Sequence, residues 1–392
     1  MSEERKPKIS RRAEYTVRAR DLLKPSSLAK LPGNLVMARR FMNALNWKAA
    51  QQDVERELEH KVAILGLANS GKSTLFNTLR GTYASAVSAE AGTTRALVRG
   101  ALGPFALIDT PGHMPDLQQQ AVEEAAAIVY LLDATAGLRA QDSQLIARLR
   151  LDDKPLVIAL NKCDMLKGEV DEAAAEAAAR LHVNDVIPIS AKTGENVAQE
   201  LIPAIIETSP EAALALGREL PAYRRSAANK LVRNAALFSL VAGLEPIPLI
   251  DIPILLSNQV RLVMRLAALY NEPLVAGPTR ELMLTVAAGL AFRYLAEEAA
   301  KAVPFGGDLV SGAIAAAGTW ALGQMALEYF EGGKKLSRRQ LNEMFSRFYR
   351  RFREENLAEK LRQEEAARMR RIAPAGSEDA DERPESRRFA SS

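Results

Sequence analysis

The segment VAILGLANSGKSTLFN, residues 62 to 77, restricts the fold more than any other stretch of the chain. Four apolar residues run into Gly66, and Gly71 follows five positions later with Lys72 and Ser73 directly behind it. The run KSTLFNTLR then has the composition of a helix. A Gly-x4-Gly-Lys-Ser loop between a strand and a helix is a phosphate cradle. Its glycines let backbone N–H groups turn inward, and the helix N-terminus behind them favours an anion. Lys72 is expected to reach the β- and γ-phosphates of a nucleotide, and the Ser73 hydroxyl to ligate Mg²⁺. Gly66, Asn69, Ser70, Gly71, Lys72, Ser73 and Thr74 make up the expected phosphate-binding set.

Such a loop needs a parallel sheet around it. From Lys61 to about residue 208, short apolar runs alternate with helical segments: KVAIL, FALID, AIVYLLD, KPLVIAL and DVIPIS. This alternation predicts an α/β domain, a mostly parallel, doubly wound sheet covered by helices on both faces. RALVRG is a weaker strand candidate, suited to an edge. Beyond residue 208 the chain turns alanine- and leucine-rich and predicts a C-terminal all-α domain. The expected division is a basic helical extension over 1–59, the nucleotide domain over 60–208, a helical domain over 209–372 and a disordered tail over 373–392.

Three further motifs close predicted strands. Asp109-Thr110-Pro111-Gly112 ends FALID, where Asp109 can hold Mg²⁺ through water and the Gly112 N–H can sense a γ-phosphate. Asn161-Lys162-Cys163-Asp164 ends PLVIAL. The Asp164 carboxylate can accept from the N1–H and 2-amino group of guanine, a donor pair that adenine lacks. Ser190-Ala191-Lys192 ends IPIS and can supply a backbone N–H to guanine O6. All lie at C-terminal strand ends, where open α/β sheets bind ligands. The expected ligands are therefore GTP and GDP with Mg²⁺.

Residues 60 to about 208 resemble the translation-factor class of P-loop GTPases, and within it the Era/TrmE-like group. The resemblance implies GTP hydrolysis. AGTTR at 91–95 is similar to that group's switch I, which implies Thr94 as the second Mg²⁺ ligand, with Thr93 as the alternative. DATAGLRAQD at 133–142 matches the group's segment after the fourth strand. Asn69 stands where several members coordinate K⁺ with an asparagine, a cation able to neutralise transition-state charge. His113 departs from the group, which usually has an apolar residue there. Translation-factor GTPases place a water-positioning histidine at this point, so Lys72, Thr94 and His113 form the expected catalytic set. Glu123 or Glu124 is the alternative for orienting water. His60 and His182 lie outside any recognisable site.

The second half, over roughly 225–355, resembles the YcjF-type domain of unknown function. The resemblance rests on PIPLIDIPILLSNQVRLVMRLAALY, on KAVPFGGDLVSGAIAAAGTWALGQMALEYF and on the basic helix after them, and it implies membrane association. Leu309 to Leu327 is free of charge and long enough to span a bilayer, yet it is rich in Ala and Gly and contains Gln324. The stretch Ala235 to Leu256 carries Glu245, Asp251 and three prolines, which predicts a broken helix or hairpin. SRRQLNEMFSRFYRRFREE spaces Leu341, Phe345, Phe348 and Phe352 along one helix face with arginines between, suiting either a bundle or an anionic membrane.

Composition limits the remaining classes. The chain has 392 residues, 48% hydrophobic and 26% charged, as in ordinary globular proteins. Its net charge of +4 is uneven, with basic clusters before residue 60 and between Lys334 and Arg371. Cys163 is the single cysteine, so no intrachain disulfide forms. The N-terminal MSEERKPKISRR has no apolar core of the secretory kind. The expected location is the cytoplasm, peripheral to or integral at the inner face of a membrane. Three functions stand: a regulatory GTPase engaging a membrane and a protein effector, a GTPase in ribosome or RNA maturation, and a nucleotide-dependent scaffold. No KH-type GxxG loop and no aromatic-rich RNP-like strand supports the RNA reading.

Overall fold

The computed structural model describes residues 47–90, 103–108, 122–242, 251–274, 307–333 and 337–372. RALVRG, the switch segment 91–95 and the DTPG motif with His113 lie outside them, as do the chain before residue 47 and the tail. The chain enters through helix α1 (Trp47–Glu59), which leads into strand β1 (Val62–Leu65), the phosphate-loop candidate and helix α2 (Lys72–Glu90). Then come β2 (Phe105–Leu107), β3 (Ala127–Asp133), α3 (Ala140–Leu151), β4 (Leu156–Asn161), α4 (Val170–Leu181), β5 (Ile187–Pro188) and α5 (Ile202–Thr208).

The five strands form a parallel sheet in the order β2-β1-β3-β4-β5. The order reverses between β1 and β3, which opens a crevice at their C-terminal ends. Strand residues alternate faces, and both faces are apolar. Val62, Ile64, Val129, Leu131 and Ala159 point one way, while Ala63, Leu65, Ile128, Tyr130, Leu132, Ile158 and Leu160 point the other. The second set packs on Ile146 and Leu149 of α3 and Ala174, Ala177 and Leu181 of α4, a self-contained layer.

The first set packs on Leu75 and Leu79 of α2 and on Ala50 and Val54 of α1. It then continues without interruption into the second half of the chain. That half comprises α6 (Pro210–Glu219), α7 (Arg224–Ala242), α8 (Asp251–Leu269), α9 (Gly307–Glu331), α10 (Arg338–Glu354) and α11 (Leu357–Ile372). Ser209 makes the joint. Its hydroxyl accepts from the Ala212 N–H at 3.0 Å, capping α6 ahead of Pro210, and donates to the Ala126 carbonyl at 2.8 Å at the root of β3.

A second joint is ionic. Glu57 of α1, with its side chain only 5% exposed, pairs with Arg261 and with Arg265 Nε at 2.7 Å, both from α8. Arg265 also lies 3.8 Å from Glu211 of α6. Helix α1 is therefore bonded into the helical half while running straight into β1.

The charge-free run expected to be long enough for a span lies within α9, at the centre of a helical bundle. Among the described residues no helix is long and apolar enough to cross a membrane. Small side chains account for its place. Ala315, Ala316, Ala317, Ala321 and Ala326 are buried, and a Cβ on Gly323 would stand 2.6 Å from Val232 of α7. A polar belt crosses the same bundle: the Ser239 and Thr319 hydroxyls are 2.8 Å apart, Asn258 donates to Ser239 at 2.9 Å and Gln259 to Thr319 at 3.1 Å. The aromatic face of α10 also turns inward. Phe348 meets Trp320 edge-on at 5.9 Å, and Phe352 lies 5.7 Å from the same ring. A capping box starts the helix, with Ser337 and Gln340 each accepting from the other's N–H.

Candidate nucleotide-binding site

Strand β1 delivers the loop at residues 66–71 to the crevice beside β3. Both glycines are required there. Gly66 has φ +147°, and a Cβ on it would sit 2.4 Å from the Leu131 carbonyl oxygen. Gly71 has φ +94°, with a Cβ 2.1 Å from Asn161 Nδ2. Asn69 also takes a left-handed conformation, φ +67°, which asparagine tolerates better than most residues. Helix α2 begins at Lys72, and buried Leu75 anchors its first turn. The Lys72 ammonium donates to the Gly66 and Leu67 carbonyls at 2.9 and 3.1 Å, so the cation lies across the loop. Ser73 and Thr74 are exposed on the same first turn.

Asn161, at the end of β4, ties this loop to the next. Its buried amide donates to the Ser70 carbonyl at 2.8 Å and accepts from the Ala191 N–H at 2.8 Å. Thr78 of α2 donates to the Ala191 carbonyl at 2.6 Å. The Ala191 N–H, one of those expected at guanine O6, is thus engaged within the protein. Phosphate loop and the Ser190–Lys192 turn are held as one unit by a side chain expected mainly to touch nucleotide.

The next three residues divide their work. Lys162, φ +70°, donates to Asp133 at 2.7 Å. Burial works to raise the Asp133 pKa, but hydrogen bonds from Lys162 and Thr135 outweigh it and hold the carboxyl below its usual range. Cys163 is buried, its thiol on the Leu160 carbonyl and its pKa raised by burial. Asp164 stands exposed, and its Oδ1 accepts from the Ser190 hydroxyl at 2.8 Å. Ser190 is itself buried and accepts from the Thr193 N–H at 3.2 Å. Lys192 is exposed beside it.

The crevice therefore gathers Gly66 to Thr74, Asn161, Lys162, Asp164 and Ser190 to Lys192. Thr94, Thr93, Asp109, Gly112 and His113 fall outside the described residues. Glu123 and Glu124 are exposed ahead of β3, where Lys154 donates to the Glu123 carbonyl at 2.6 Å. His182 caps the end of α4, and His60 links α1 to β1. Among the described residues no cluster of three His, Cys, Asp or Glu could hold a metal ion.

Two site residues carried no assigned role in the sequence. Asp133 orients Lys162; its signal was a carboxylate at a strand end within DATAG. Arg139, at the head of α3, donates from Nη1 to the Ala68 carbonyl of the phosphate loop at 3.5 Å. Nothing in the order of residues joins positions 68 and 139.

Comparison with known proteins agrees with this geometry. Residues 61–162 match the family model described as 50S ribosome-binding GTPase, and residues 209–354 match the domain of unknown function DUF697. GTPase Era of Aquifex aeolicus is 33% identical over 174 residues, covering 38% of this chain and 56% of Era. GTPase Der of Syntrophotalea carbinolica is 37% identical over 164 residues, covering 38% of this chain and 36% of Der. The chain thus spans about half or less of these relatives' own length. A crystal structure of Aquifex aeolicus Era bound to GDP·AlF4− covers 46% of this chain and 67% of that one, at 28% identity and a TM-score of 0.30. The chain pairs an Era-like P-loop GTPase fold, similar to Era and Der, with a helical segment that matches the DUF697 model.

Proposed function

We propose that the chain is a GTP-hydrolysing switch whose helical half transmits the nucleotide state. The observation that supports it most is the bonded arc from the phosphate loop through Asn161 to Ala191 and on to Ser190 and Asp164. Phosphate and base contacts are set at a fixed distance by protein hydrogen bonds. Asp164 offers its carboxylate edge outward, with one oxygen steadied by Ser190. Lys72 exchanges the Gly66 and Leu67 carbonyls for phosphate oxygens when nucleotide enters. Ser73 is exposed beside Lys72, and together with Thr94 and Asp109 it would supply hard oxygen donors of the kind Mg²⁺ prefers. The ion, once bound, neutralises charge on the phosphates.

For hydrolysis, His113 is the residue proposed to orient the attacking water, with Glu123 or Glu124 as alternatives. Asn69, exposed on the loop, is proposed to offer its side-chain oxygen to K⁺. Asp164→Asn tests base choice. It should shift preference from GTP toward xanthosine triphosphate, whose 2-oxo group suits an amide donor. Equal affinity of the wild type for ATP and GTP would overturn the assignment.

The helical half is proposed to meet an anionic membrane surface peripherally from the cytoplasmic side. Helix α7, about 28 Å long, starts beside the GTPase domain, where Tyr223 donates to the Ala198 carbonyl, and still meets Glu207 of α5 through Lys230 and Arg233 halfway along. At the far end Phe238, Val241 and Ile254 are 50%, 60% and 43% exposed. The apolar face of α10 is consumed by packing, so exposed arginines such as Arg347, Arg350, Arg351 and Arg353 are left to meet headgroups. Full-length protein should float with anionic vesicles, and glutamate at those four positions should weaken this. Co-sedimentation with ribosomes in place of vesicles would move the assignment to the RNA reading.

A further inference from the structure

Arg139 occupies a position that local stability argues against. It is the N-cap of α3, with extended backbone at φ −90° and ψ 152°. N-caps favour Ser, Thr, Asp and Asn because their oxygens accept from the first free N–H groups. A guanidinium accepts nothing, and its charge lies at the positive end of the helix dipole. Asp142 repairs part of this by accepting from the Arg139 N–H at 3.1 Å. The other Asp142 oxygen is taken by the buried Tyr130 hydroxyl at 2.9 Å. Both Asp142 oxygens are thereby spent, one on a backbone N–H and one on a phenol.

The side chain instead crosses to the phosphate loop. Its Nη1 meets the Ala68 carbonyl through one exposed 3.5 Å hydrogen bond. Lys72 covers the two preceding carbonyls, of Gly66 and Leu67. Two cations from different elements thus lie on three consecutive carbonyls of one loop. The Lys72 contacts are shorter and more enclosed, whereas the Arg139 contact is long and open to solvent. A weak carbonyl contact is readily traded for a phosphate oxygen, which a guanidinium binds in a charge-assisted, often bidentate pair.

We propose that Arg139 is a specificity-determining residue that contacts the terminal phosphate of the bound nucleotide, so that a charge carried in the same chain separates triphosphate from diphosphate. The proposal rests on the GTP-binding reading above. The local cost of the cap sets the direction of the test, because structure and function then respond with opposite sign. Arg139→Thr restores a good N-cap and should raise the melting temperature of the full chain by about a few degrees. The same variant should bind a non-hydrolysable GTP analogue about ten- to a hundredfold more weakly. Its GDP affinity should change by less than about threefold. Arg139→Lys, which keeps the charge without the fork, should fall between. All measurements are made with Mg²⁺ and a constant K⁺ concentration. Equal weakening toward both nucleotides would show that Arg139 only supports the loop, and unchanged binding of the analogue would also overturn the proposal. A wild type that binds neither guanine nucleotide would overturn the GTP reading and this proposal together.

Discussion

The two faces of the sheet are equally apolar and are covered in opposite ways. On one, Ile128, Tyr130 and Leu132 meet α3 and α4, helices from the same α/β unit. On the other, Val62, Ile64 and Leu131 belong to a core that runs through α1 and α2 into α6, α7, α8 and α9. The first arrangement belongs to a domain that could stand alone. The second belongs to one whose covering helices α1 and α5 are themselves packed from outside by the rest of the chain. The helix behind the phosphate loop, α2, packs on that shared side through Leu75 and Leu79. The helix that follows the phosphate loop therefore shares one continuous core with the helical half.

The sharpest way to break the comparison is to remove that outer packing. A chain ending at Thr208 should lose cooperative unfolding and aggregate, because the outer sides of α1 and α5 would be laid bare; a sharp thermal transition in that fragment would contradict the shared core. Next comes the ionic joint. Glu57→Ala leaves Arg261 and Arg265 without their main carboxylate and should cost about 3 kcal/mol by urea unfolding. Gly323→Ala pushes a methyl into Val232 and should cost about 1–3 kcal/mol, with the α7–α9 contact loosening first in hydrogen exchange.

A change on the self-contained face should be milder and local. Ile146→Val should cost about 1 kcal/mol and leave exchange in α8 and α9 unaltered. The smallest effect concerns pH. The Asp133 carboxyl is held below its usual range, so its ion pair with Lys162 contributes stability at neutral pH. That contribution is lost as pH falls through the folded-state value. Asp133→Asn should remove this acid-side slope, read as the pH dependence of the melting temperature.

Much of the GTPase half was legible in the sequence because its signals are local. Continuous apolar runs marked β1, β3 and β4, and the Gly66–Ser73 spacing marked the loop. Asn161 was found by motif, but not its work as a staple between two loops, which depends on residues 91 and 30 positions away. Arg139 and Asp133 were hidden for the same reason. In the helical half, periodicity located an amphipathic α10 without saying what its apolar face meets. Trp320 supplies the answer, and no pattern in the sequence points to it. The alanine-rich run around residue 316 was ambiguous because small residues suit close packing in lipid and in a soluble bundle alike. Nothing local marks Glu57 as a joint, because its arginines lie 204 and 208 residues further on.

That separation has a consequence for synthesis. Glu57 leaves the ribosome long before Arg261, and at about 5–20 residues per second it waits roughly 10–40 s for its first partner. During this interval the sheet's α3–α4 side can already be closed, while the side of α1 that packs on α8 cannot. The nascent chain therefore carries a finished half-layer and an open apolar one, the kind of surface that chaperones bind. Any pause in translation between α6 and α8 would lengthen that exposure, and Glu57 would stand beside no arginine of α8 until that helix arrives.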